Sequence, residues 1–65
     1  MTNEEKAVLA HAVIDPEAWY AHAVASFGEE VAKRHLAAKV ARWKPEYEAE
    51  SVKPGYKTRA ERESA

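Results

Sequence analysis

The triplet Asp15-Pro16-Glu17 constrains this chain more than any other local feature. Asp caps free amide groups at a helix start, Pro fits the first helical turn, and a Pro disfavours helical geometry in the residue before it. A helix therefore begins at Pro16, and whatever precedes it ends before Asp15. Tyr20, Ala23, Val24 and Phe27 then follow the i, i+3, i+4, i+7 spacing of an amphipathic helix, and Gly28 stands where a left-handed C-terminal cap is needed.

Upstream, Thr2 or Asn3 can cap a first helix whose opening turn carries Glu4 and Glu5, where the helix dipole favours negative charge. Leu9, Ala12 and Val13 share a face with Val8 beside them, so this helix packs on something and ends near Val13 or Ile14. Downstream, helical phase decides whether Gly28 is a break. At ~100° per residue Tyr20, Val24, Phe27 and Val31 share one stripe, whereas Leu36, Val40 and Trp43 cluster on the opposite side. A single straight helix would be apolar on two faces. A break at Gly28 removes the conflict and gives a third helix from Glu29 to Lys44, acidic at its start, basic at its end and stopped by Pro45. Tyr47 continues the Leu36, Val40, Trp43 spacing, so a further turn over Glu46 to Glu50 stays open.

The expected fold is thus all-α: a small bundle of three short helices at about residues 3 to 14, 16 to 27 and 29 to 44, within a helical domain spanning 1–50. Hydrophobic residues make up 46% of the chain, but alanine supplies 14 of them, and alanine buries little area. The larger candidates for the core are Val8, Leu9, Val13, Ile14, Trp19, Val24, Phe27, Val31, Leu36, Val40 and Trp43, all before Pro45. Beyond it, Lys53-Pro54-Gly55 reads as a turn and Thr58 with Glu61 as a capping box opening a very short helix. Val52 and Tyr56 are the only larger apolar groups of segment 51–65, too few to offset the entropy of ordering it, so a polar, flexible C-terminal tail is expected.

Composition narrows the function classes. There is no cysteine for a disulfide framework or a thiolate site, which points to a reducing compartment and a cytoplasmic location. No apolar run approaches the ~18 residues of a membrane span, and the N-terminus is acidic where a secretion signal would be basic. His11, His22 and His35 lack any usual ligand spacing, so neither metal nor other cofactor is expected. Glu4-Glu5 and Glu29-Glu30 are explained as helix starts, Ser26 has no nucleophile-elbow context, and Gly28 and Gly55 make no phosphate loop. A catalytic role is not expected.

Two binding readings remain. Trp19, Tyr20, Trp43 and Tyr47 are a heavy aromatic load for so small a domain, and a partner or a second copy would bury apolar area that three short helices cannot. These four residues are the candidate anchors of a protein-binding or self-associating patch. The alternative follows from charge. Residues 29–44 carry five Lys and Arg against two acids, while the flanking segments are acidic. Lys33, Arg34, Lys39 and Arg42 of the third helix are the candidates for a DNA- or RNA-binding module with strongly salt-dependent affinity. The stretch lacks the Asn, Gln, Ser and Thr that read base edges, so its sequence preference would be small.

The stretch from Ile14-Asp15-Pro16-Glu17-Ala18-Trp19 through Phe27-Gly28-Glu29-Glu30 to Lys39-Val40-Ala41-Arg42-Trp43 resembles small accessory proteins encoded in bacteriophage and prophage genomes. That resemblance implies a helper of phage assembly or regulation acting on a phage or host protein. It transfers no catalytic or binding residue to any position of this chain.

Overall fold

The computed structural model describes residues 1–64, with the side chain of Ser64 excepted, and every regular element in that span is helical. Helix α1 covers Asn3–Ala12, α2 Pro16–Phe27, α3 Glu29–Ser51 and α4 Arg59–Ser64.

Local chemistry sets most of these boundaries. A reciprocal capping box opens α1: the Thr2 hydroxyl accepts from the Glu5 amide at 3.1 Å, and the Glu5 carboxylate accepts from the Thr2 amide at 2.7 Å. The helix ends at Ala12, earlier than the expected Val13 or Ile14, with Val13 extended at φ −128°. Pro16 requires extended geometry of Asp15, and Val13 and Ile14 before it form the connection to α2. The Asp15 carboxylate accepts from the Ala18 amide at 3.1 Å, with Pro16 in the first turn of α2.

Gly28 is the whole connection between α2 and α3. Its amide donates to the Val24 carbonyl at 2.9 Å, closing one helix, and its carbonyl accepts from the Ala32 amide at 3.0 Å, opening the next. The backbone conformation that permits this has φ +87° and ψ 160°, a region that side-chain-bearing residues rarely enter.

The third helix exceeds its expected length. It runs through Pro45 to Ser51, not stopping at Lys44. An interior proline costs about 3 kcal/mol through its missing amide and its clash with the carbonyl four residues back. The extra turns place Tyr47 and Glu50, both half-buried, against other parts of the chain. Those contacts offset the proline.

The segment expected as a flexible tail also folds. Lys53 to Tyr56 form a turn closed by a 3.2 Å bond from the Tyr56 amide to the Lys53 carbonyl, with Gly55 at φ +75°. The Thr58 hydroxyl then accepts from the Glu61 amide at 3.1 Å, and α4 lies against α1. The bundle therefore has a fourth short helix on a returning arm. The sequence placed the turn and the capping box of this arm, but its low apolar content hid the Tyr56 and Arg59 contacts that hold it against α1.

Helices α1 and α2 both pack on α3. At ~1.5 Å per residue its 23 residues span about 35 Å, close to the 38 Å long axis of the molecule, which is 24 Å wide and 15 Å thick. So thin a body has a small interior. Among the described residues the buried hydrophobic side chains are Val8, Leu9, Ala23, Ala32 and Leu36. Two alanines take central places because short side chains let α2 and α3 approach closely. Of the expected core, Ile14 and Phe27 are 54% and 58% exposed, and Val13, Trp19, Val24, Val31, Val40 and Trp43 are half-buried. The accessible surface of 4518 Å² exceeds the roughly 4,200 Å² usual for a 7.3 kDa chain.

Candidate functional site

Val8 is fully buried, and His11 lies one turn further along the same side of α1. That position puts the imidazole among three aromatic rings where α1, the end of α3 and the arm meet. Ring centres lie 6.1 Å away for Trp43, 6.3 Å for Tyr47 and 5.9 Å for Tyr56, and Tyr47 meets Tyr56 edge to face at 6.3 Å. The His11 side chain is 10% exposed. Its Nε2 is 3.7 Å from a Glu46 carboxylate oxygen, and its Nδ1 is 2.9 Å from the Tyr56 hydroxyl. In the tautomer that carries its proton on Nε2, on the side of the carboxylate, Nδ1 accepts from the Tyr56 hydroxyl.

Further polar contacts fasten the arm. An Arg59 amine donates to the Ala12 carbonyl at 3.1 Å, satisfying an acceptor at the α1 C-terminus, where the helix dipole also favours a cation. Burial pushes the Tyr56 phenol above its ordinary range, and the neighbouring Tyr47 adds to the rise. Lys53, hydrogen-bonded to Glu50, holds that carboxyl below its ordinary value. Two open recesses flank His11. One of about 350 Å³ lies among Tyr56, Lys53, Lys57 and Arg62, and one of about 480 Å³ among Trp43, Glu46, Arg59 and Glu63.

A second constellation lies along α2 and the first half of α3. The Lys39 ammonium is 5.3 Å from the Trp19 ring centre and the Arg42 guanidinium 4.8 Å from that of Trp43, both within the ~6 Å reach of cation–π attraction. The His35 ring lies 5.3 Å from Phe27 at an interplanar angle of 30°. His35, Lys39 and Arg42 stand at i, i+4 and i+7, so one face of α3 carries three basic side chains, each against an aromatic ring. Beside this stripe, Val31, Arg34, His35 and Ala38 line a recess of about 290 Å³.

The four expected aromatic anchors do not form a single patch. Trp43 and Tyr47 meet at His11, Trp19 lies under Lys39, and Tyr20 is half-buried on α2. His11, Phe27 and Tyr56 were missed as participants. The sequence signals for them were present: His11 one turn after Val8, Phe27 next to the helix break, and Tyr56 directly after a chain-reversing turn.

The four expected nucleic-acid contacts are likewise dispersed. Lys33 pairs with Glu29 at 3.4 Å, Lys39 and Arg42 lie on rings, and Arg34 is exposed at the rim of the Val31 recess. At ~100° per residue Lys33 and Arg42 face opposite sides of α3, so one phosphate backbone cannot reach all four.

No family model, curated protein or solved structure matches this chain. Among the described residues, no three His, Cys, Asp or Glu side chains form a group able to hold a metal ion, and no helix is long and apolar enough to cross a membrane.

Proposed function

We propose that this chain is a non-catalytic interaction module, a cytoplasmic accessory factor of the kind its resemblance to small phage-encoded proteins implies. It binds a protein partner through the α2–α3 face. The observation that carries this reading is the run His35, Lys39, Arg42 against Phe27, Trp19 and Trp43. Trp and Arg dominate the energetics of protein interfaces, and cations already resting on rings lose little further freedom on binding. The matching partner is an acidic amphipathic segment, with carboxylates for Lys39 and Arg42 and an apolar side chain against exposed Phe27.

The double charge reversal Lys39→Glu with Arg42→Glu tests this reading in affinity capture from host lysate. Wild type should retain one protein at near-stoichiometric yield with nuclease present, and the variant should lose it while keeping its helical circular dichroism. Recovery abolished by nuclease would transfer the function to nucleic-acid binding. Equal retention by the variant would move the interface off this face.

A further inference from the structure

The side of α3 opposite its packed face repeats with a period of seven. Val31, Ala38, Pro45 and Val52 recur in one row, and Arg34, Ala41 and Glu48 in the row beside it. At ~100° per residue both rows point away from the buried Ala32 and Leu36. Every one of these residues is exposed except half-buried Val31, and Val52 reaches 80%. Val52 closes α3 in helical geometry, so the row continues to it unbroken. Two adjacent rows of this spacing form a stripe along which another helix can lie, built here of small and charged side chains where a coiled-coil seam has large apolar ones.

We propose that this face is occupied by the same face of a second copy, the two α3 helices lying antiparallel about a two-fold axis at Ala41. Charge selects both the occupant and the direction. Counting outward from Ala41, Arg34 and Glu48 lie equally far on either side, so each Arg34 meets the Glu48 of the second copy, twice by symmetry. A parallel pair would set Arg34 against Arg34 and Glu48 against Glu48. The same counting sets Val31 opposite Ser51 and one residue short of Val52, at the edge of the recess formed with Arg34, His35 and Ala38. Ala38, Ala41 and Pro45 keep the seam shallow enough for the backbones to approach. The cation nearest the axis, Arg42, is folded onto its own Trp43 ring and turned out of the seam.

The contact follows one side of a single helix and falls short of the ~800 Å² per copy of a standard interface, so the dimer is weak, reversible and salt-sensitive. The proposal does not rest on the partner surface suggested above, because the seam lies round the helix from the Trp19–Lys39 stripe. Dimerisation would present two such stripes to a bivalent partner.

Sedimentation equilibrium of the full chain in low salt, from about 10 μM to about 1 mM, is the test, with circular dichroism confirming that each variant is folded. Wild type should shift from monomer to dimer within that range. Arg34→Glu alone and Glu48→Arg alone should each raise the dissociation constant at least about tenfold, and the two together should restore it to within about threefold. Ala41→Lys, which sets two cations on the axis, should leave only monomer. A wild type monomeric throughout, single reversals without effect, or a double reversal that fails to recover would each overturn the proposal.

Discussion

Tyr56 and His11, 45 positions apart in the chain, are joined by a 2.9 Å hydrogen bond between hydroxyl and Nδ1. With the Arg59 bond to the Ala12 carbonyl, it converts a sparse polar segment into a folded arm. The bond is part-buried and its imidazole sits among rings, so an unmatched Nδ1 would be poorly compensated by water.

Tyr56→Phe keeps the ring packing and removes the hydroxyl. It should lower stability by about 1 kcal/mol, which for a chain of this size is a fall in Tm of roughly 4–8 °C. Thermal melts followed by circular dichroism measure this, and amide exchange should rise first over Val52 to Glu63. An unchanged melting temperature would mean that the hydroxyl contributes nothing to holding the arm.

Alkaline pH should loosen the same junction. Burial raises Tyr56 above its ordinary 10.0, and the hydrogen bond from Lys44 to Glu4 raises that ammonium above 10.5. Both groups hold their protons more tightly in the folded chain than in the unfolded one. Their contribution is therefore complete below pH 10 and is lost as pH climbs through the raised values. Urea midpoints measured across this range should decline, and the decline should be shallower in Tyr56→Phe. Glu5, lowered by its bond from the Thr2 amide, acts in the opposite window, contributing above 4.5 and losing its effect as pH falls.

Pro45→Ala should stabilise the protein. The substitution returns an amide donor to the interior of α3 and removes the ring clash, for a gain of about 1–2 kcal/mol after the greater freedom of the unfolded alanine chain is subtracted. A higher urea midpoint with an unchanged slope is the expected result. A lower midpoint would show that Pro45 favours the extension of α3 toward Tyr47.

Where the fold was legible in the sequence, the information was local. Asp15-Pro16, the cap at Thr2 or Asn3, the Pro54-Gly55 turn and the Thr58–Glu61 box each depend on neighbours within four positions, and the break at Gly28 on helical phase in the two segments beside it. The Tyr47 spacing left a turn beyond Pro45 open but could not decide it, because the contacts that offset the proline are distant in the chain. The candidate surface was half legible for the same reason. Trp19, Trp43, Lys39 and Arg42 were conspicuous as residue types, but the pairing of Trp19 with Lys39 depends on how α2 lies along α3. His11 drew notice only for its lack of a ligand spacing, since its aromatic surroundings are assembled from α3 and the arm.

Gly28, as the shared end of two helices, leaves the chain no slack at that corner. An inserted or deleted residue has no loop in which to vanish and must turn one helix against the other by ~100°. Trp19 would then part from Lys39, and Ala23 would leave its buried place. Length variation among descendants of this chain should therefore collect between Val52 and Thr58, while the corner at Gly28 keeps its residue count.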